Sequence, residues 1–402
     1  MTERKPSVWT LPGMPPLLVM TALGFSGFSL LMPVAPLWAS MGGADSFGSG
    51  LVNGLLMLST VATQMVVSPG LRILGWSRML VIGLLCLGLP SVLHLFSDQL
   101  PLILALAVVR GIGFGIITVC GSSAVAALVE PKRRGRAIGA YGLAIAVPQF
   151  VLIPAAPWLA ENVGPGLVFG LGIAPAIAVP FAITLGRRLA TVPAPKTAAT
   201  DIAPQGSRIA AVRTRAVVMP IVALLTITCT GGAVLTFAPT MLTNTTTAVV
   251  ALLALTGLGA LSRWIFGGIA DRFGARRFIT PLLVVAALGA AGVSLGVAGD
   301  TDAVTTTVLL VGAAFIGTAY GGLQNVTLVE AFAAAGDRSR NVVSVVWNAG
   351  FDLGTGLGSV VVGTIATASS FPTSFVVLAV VSVVVAALVS LLRPRPTQPS
   401  AA

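Results

Sequence analysis

The chain has 402 residues, 56% of them apolar and 9% charged, with a mean hydropathy of +0.99. Soluble domains carry about a quarter charged residues and disorder needs low hydrophobicity, so both classes are excluded. At about 20 apolar residues per membrane crossing the length accommodates about twelve crossings and no sizeable soluble domain, and the formal charge of +11 must be explained by where the cations stand.

Apolar runs predict spans over 16–39, 50–69, 79–97, 101–121, 137–158, 166–186, 216–238, 248–269, 278–297, 304–329, 342–366 and 371–392. The first follows a short basic segment, is too long for a signal-peptide core and lacks a clear cleavage site, so it reads as a retained anchor. Pro33 and Pro36 lie inside it, as Pro148 and Pro154 do in the fifth span and Pro175 and Pro180 in the sixth. Membrane helices tolerate such breaks where neighbouring groups take up the freed carbonyls. The longest polar connection, 187–215, is rich in proline and charge and reads as a linker between residues 1–186 and 216–402.

With both ends cytoplasmic, the internal segments hold 21 of the 23 Lys and Arg residues, and the external loops hold none. The external loops instead carry Asp45, Asp98, Glu161, Asp300 and Asp302. This charge asymmetry is the positive-inside pattern of a bacterial plasma-membrane protein, and it excludes a nucleic-acid footprint. The lipid bilayer is the partner that the basic charge addresses. Cys86, Cys120 and Cys229 fall within spans, and His94 is the single histidine, so neither a disulfide framework nor a metal centre is expected. Gly111-Ile112-Gly113 lies inside an apolar helix with no strand before it, which removes the nucleotide-loop reading and leaves close helix packing. No cofactor is expected.

The two halves repeat. Cys120-Gly121 leads to Leu128-Val129-Glu130, and 200 residues later Tyr320-Gly321 leads to Leu328-Val329-Glu330. Ala35-Pro36 late in the first span likewise answers Ala238-Pro239 late in the seventh. Parallel halves of this kind are a transporter design with the substrate site near the midplane. The expected fold is an all-α integral membrane protein, twelve helices in two pseudo-symmetric six-helix bundles, working as a monomer.

Gly267-Gly268-Ile269-Ala270-Asp271-Arg272-Phe273-Gly274-Ala275-Arg276-Arg277 closely resembles the loop signature of the major facilitator superfamily. Arg110 with Gly111, Gly113 and Gly115 resembles that family's fourth-span motif, and Trp347 to Gly358 is similar to the eleventh span of its bacterial drug and sugar exporters. Two signatures depart from the pattern. The loop after the second span holds Arg72 at the aspartate position, and Val147 replaces the glycine that precedes Pro148.

A charge at a helix centre costs about 2.5–3.5 kcal/mol to insert, so Arg110, Arg263 and Asp352 are candidates for function. The resemblance implies that Arg110 faces a central cavity; the alternative is a structural role, capping carbonyls freed by Pro33 or Pro36. Arg263 is close enough to the cytoplasmic surface to extend there. Asn348, Asp352 and Thr355 share one face of the eleventh span, Tyr320 and Gln324 share a face of the tenth with Asn325 adjacent, and Gln64 and Gln149 add isolated amides. These residues form the expected substrate cavity. Asp352 is the one acid placed well within a span and is the expected proton-coupling group, unless an arginine holds it as a fixed ion pair.

The expected activity is proton-coupled export of a moderately hydrophobic small molecule, with uptake of a sugar or metabolite as the alternative; an enzyme is not expected. The resemblance further implies a cytoplasmic latch, in which Asp271, with Arg272 and Gly274 shaping its loop, meets the start of the fifth span near Arg134 and Arg136. Helix N-termini attract anions by about 0.3–1 kcal/mol. Arg72 would face the corresponding helix end in the other half, so that latch should be missing unless Glu330 or Asp337 supplies an anion. Asp271→Asn is expected to favour the inward-open state and impair transport. Cysteine accessibility at the cytoplasmic ends of the fifth and eighth spans measures this, and unchanged accessibility with full transport would rule the latch out.

Overall fold

A computed structural model describes residues 11–130, 133–191, 215–300, 302–335 and 340–392. These form helices with no strand among the described residues. They are α1 (Met14–Met41), α2 (Ser46–Leu93), α3 (Leu100–Leu128), α4 (Arg134–Asn162), α5 (Pro165–Ala190), α6 (Arg215–Met241), α7 (Thr245–Phe273), α8 (Arg276–Ala298), α9 (Ala303–Ala335), α10 (Arg340–Ala368) and α11 (Phe371–Leu391). Eleven stretches among the described residues are long and apolar enough to cross a membrane.

The second and third predicted spans run together as α2, interrupted at Gly75, whose φ of 74° and ψ of 168° are not helical. Only glycine takes up that conformation without steric cost. In a continuous helix Leu56 and Leu87 would stand about 46 Å apart. Yet a side chain added at Gly111 of α3 would collide with Leu56, and one at Gly113 with Gly83 and Leu87. Both arms of α2 therefore lie against one short stretch of α3, and the chain doubles back at Gly75. The sixth predicted span, α5, is broken into Pro165–Leu171, Ala174–Ile177 and Val179–Ala190. Pro175 and Pro180 lack the N–H groups that would continue the ladder through it. The helix ends at Ala190, four residues beyond the predicted end at 186, and α6 starts at Arg215; the linker between them, 192–214, lies outside the described residues.

Packing repeats along the chain. α1 packs on α4 as α6 packs on α10. The arms of α2 pack on α3 as α7 and α8 pack on α9, and α2 meets α5 as α8 meets α11. The helix starts echo one another too: the Asp45 carboxylate accepts from Gly48 N at 2.8 Å to cap α2, and the Asn244 side chain accepts from Thr247 N at 3.2 Å to cap α7. One apolar cluster, with Met20, Leu80, Ile117 and Leu185, fills the earlier repeat, and another, with Ile227, Leu283, Leu323 and Val389, fills the later one. A third, including Phe28, Val52, Phe114, Phe237 and Val362, bridges them.

The repeats meet where α2 packs on α10 and where α4 packs on α7. Along the first contact, side chains added at Gly50, Gly54, Gly356 or Gly363 would strike the facing helix. This is the close approach that small residues permit between membrane helices. Gly113→Leu is expected to destabilise the protein by about 1–3 kcal/mol through overpacking, read as a lower unfolding temperature in detergent; a variant of wild-type stability would show that α3 and α2 do not pack this closely.

Candidate functional site

The close contact of α2 and α10 leads to a polar group at its end. Asp352 of α10 is 7% exposed, and the Gln64 amide of α2 donates to its Oδ2 at 2.7 Å. Gln64 also reaches Thr118 Oγ1 of α3 at 3.4 Å, and that hydroxyl donates back to Phe114 O at 3.0 Å. The acid of one repeat is thus bonded to an amide of the other. Thr355, one turn further along α10, donates to Phe351 O at 2.9 Å, and the Phe351 ring lies 5.9 Å from that of Tyr320. Tyr320 lies within electrostatic range of both Asp352 and Arg263.

Neither intramembrane arginine pairs with Asp352. Arg263 Nη1 donates to Gln324 Oε1 at 3.1 Å, and Asn325 Nδ2 donates to Arg263 O at 3.2 Å, so α7 and α9 hold each other through these groups. Arg276 forms an ion pair with Glu330, at 3.8 Å. Arg110 is fully buried with no hydrogen-bond partner at any of its three guanidinium nitrogens. It does not cap a carbonyl of the broken first helix. The Met32 carbonyl, freed because Pro36 has no N–H, accepts instead from Asn53 Nδ2 at 2.9 Å.

Of the other expected cavity residues, Asn348 is exposed and its amide donates to Ser344 O at 2.7 Å, while Gln149 is half-buried on α4. Gln64, Asp352, Tyr320 and Thr355 are brought together, whereas Gln149 and Arg110 stand apart from them. For the latch, Gly274 ends α7 with φ 84°, Arg272 is exposed with its guanidinium 5.9 Å from the Phe273 ring centre, and Arg136 is exposed. The side chains of Asp271 and Arg134, and all of Asp337, lie outside the described residues. Glu330 is engaged by Arg276 within its own repeat.

One polar group escapes a reading of the sequence. Asn53 Nδ2 also donates to Thr236 Oγ1 of α6 at 2.9 Å, and that hydroxyl shares a hydrogen bond of 2.7 Å with Ser359 Oγ of α10. Nearer the helix ends, Phe47 N donates to Thr367 Oγ1 at 2.9 Å. The signal was present: a proline four residues after Met32 frees a carbonyl, and an asparagine in the next apolar run can supply the donor.

The matching family model, Major Facilitator Superfamily, covers residues 17–344. The chain belongs to the major facilitator superfamily. Its members are transporters, not enzymes, and this one is a multi-pass membrane protein. Solved structures with the same fold include a bacterial homologue of the human lysosomal transporter Spinster in an inward-facing, unoccupied conformation (TM-score 0.71, 16% identity, covering 96% of this chain and 98% of that one). Another is the nucleoside transporter NupG (TM-score 0.69, 12% identity, covering 94% of this chain and 98% of that one). A stretch of 113 residues is 32% identical to a probable 4-methylmuconolactone transporter of Cupriavidus pinatubonensis (strain JMP 134 / LMG 1197). That match spans 27% of this chain and 26% of the relative's length.

Asn53→Leu removes both the cap on Met32 and the bond to Thr236. Loss of a buried hydrogen bond costs about 1–3 kcal/mol where a partner is left unsatisfied. The variant is expected to melt at lower temperature and to expose a cysteine placed at Ala233, buried one turn before Thr236, to a membrane-impermeant thiol reagent; unchanged labelling would mean that Asn53 does not hold this part of the interface closed.

Proposed function

We propose that the protein is a proton-coupled secondary transporter with Asp352 as the coupling acid, exporting a moderately hydrophobic small molecule. The observation that carries this reading is the bond from Gln64 to Asp352, which ties the protonation of one buried acid to contact between the two repeats. One amide donor meets only part of what an ionised carboxylate accepts. A change of protonation at Asp352 therefore alters both its need for water and its hold on Gln64. That is what alternating access requires of a coupling group.

In this reading twelve crossings form two six-helix bundles, 1–186 and 216–402, joined by a cytoplasmic linker over 187–215, in a bacterial plasma membrane with both termini cytoplasmic. The bundles rock about the level of Asp352 in a functional monomer. The polar groups of Tyr320, Gln324, Asn325, Asn348 and Thr355, with Gln64 and Gln149, offer hydrogen bonds in an otherwise apolar cavity. The Asp271 latch closes the cytoplasmic side, without a counterpart at Arg72. A second reading is proton-coupled or facilitative uptake of a sugar or other metabolite; the locally similar relative is named as a transporter of a small metabolite, with no direction given. Resistance of an expressing strain to toxic compounds favours export, and sensitisation favours uptake.

Asp352→Asn keeps the shape of the side chain and its bond to Gln64 but cannot titrate. In proteoliposomes with an imposed pH gradient it is expected to abolish accumulation while sparing downhill exchange. An Asn variant that still concentrates substrate would place proton coupling elsewhere.

A further inference from the structure

The earlier repeat buries a charge that it does not neutralise. Between residues 14 and 190 the acids are Asp45, Asp98, Glu130 and Glu161, and each stands in a connection or near a helix end. Arg110 stands ten residues into α3, 0% exposed, with Nε, Nη1 and Nη2 all without a hydrogen-bond partner. Phe114, one turn along the same face, stacks on Phe28 of α1 at 4.1 Å, so this face of α3 looks into the bundle interior. Asp352 does not serve it. Gln64, the partner of Asp352, reaches α3 at Thr118, eight residues or about 12 Å along the helix from Arg110. A guanidinium stays charged at any working pH, and an uncompensated charge is among the most costly groups to bury.

The same interior holds other unsatisfied polar atoms. Ser29 Oγ on α1 and Ser49 Oγ on α2 are buried without a partner, and the Ser29 carbonyl is freed from helical pairing by Pro33. His94, stacked on Phe169 at 5.1 Å, uses Nδ1 on Pro90 O, leaves Nε2 unpartnered and lies within electrostatic range of Arg110.

We infer that Arg110 is the receptor for one monovalent anionic group from outside the chain, either a small inorganic anion or the carboxylate of a transported molecule. The guanidinium supplies charge and planar donors suited to a carboxylate. Because Arg110 is sealed, the anion enters and leaves as the packing around α3 loosens during the transport cycle. The assignment rests on the proposed transport activity only in making the anion the cargo; the binding itself is independent of Asp352 and of coupling.

The full-length protein in detergent can be melted at constant ionic strength in the sodium salt of a bulky sulfonate (2-(N-morpholino)ethanesulfonate), in sodium chloride or in sodium benzoate, alongside Arg110→Met. Wild type is expected to gain several degrees, saturably, in chloride or benzoate over the sulfonate. Arg110→Met is expected to lose that dependence and to melt above wild type in the sulfonate, since it removes an unpaired buried charge. A gain in chloride alone identifies an inorganic anion, and a gain in benzoate identifies an organic carboxylate and hence the substrate class. Wild type equally stable in all three salts would overturn the inference, as would an anion gain retained in Arg110→Met. Should that variant fail to fold, Arg110→Gln serves the same comparison. Failure of Asp352→Asn to affect accumulation would leave these results untouched, so the two readings fail separately.

Discussion

The bond between Gln64 and Asp352 is the point on which the two repeats depend, because it joins them through a group that water cannot serve. Between the membrane surfaces every polar atom must find its partner inside the protein. The broken first helix shows how this is done. Pro36 frees the Met32 carbonyl, Asn53 takes it, and the same amide reaches Thr236 in the other repeat. A local defect in one helix thus becomes a contact between bundles. The interface is made of backbones brought close by glycine, fastened at intervals by single hydrogen bonds.

The packing of the repeats is nearly the same, but their charges are not. The later repeat places an acid at the interface and an accessible arginine, Arg263, bonded to Gln324. The earlier repeat has no interior acid and seals Arg110 away. Duplicated helices can rock as equivalent rigid bodies while the ionisable groups give the two sides different tasks. In the proposed reading the proton binds at the acid of the later repeat and the anion at the arginine of the earlier one, with no interior acid beside that arginine.

Much of the fold was legible in the sequence because the bilayer imposes it. Apolar run length and the placement of Arg and Lys fixed the spans to within a few residues, and the 200-residue offset exposed the repeat. The junction of the second and third spans was less so: Trp76 and the apolar residues around Gly75 let the helix continue, and only the positive φ of that glycine turns the chain. Asp352 could be singled out as a lone interior acid, but its partner could not. The sequence offers Arg110 and Arg263 as partners, and packing instead brings the Gln64 amide to the acid. Asn53 passed unnoticed because its role is set by a carbonyl on another helix. The latch at Asp271 rests on motif alone, since its side chain lies outside the described residues.

The position of the interfacial acid follows from how the helices meet. From Ser46 opposite Gly363, through Gly50 and Ser359, to Gly54 and Gly356, α2 and α10 touch backbone to backbone. Beyond Asp352, toward the arginine-bearing ends, Asn348 on α10 and Met65 and Val66 on α2 are exposed. Gln64 and Asp352 therefore stand at the end of the glycine-lined seam. A carboxylate further into the seam would be sealed in both states of a rocking motion, and one further out would be hydrated in both. At the boundary a modest rotation about the seam changes its exposure. In the proposed cycle the backbone contact serves as the hinge line, and the acid lies close enough to that line for its exposure to follow which side is open.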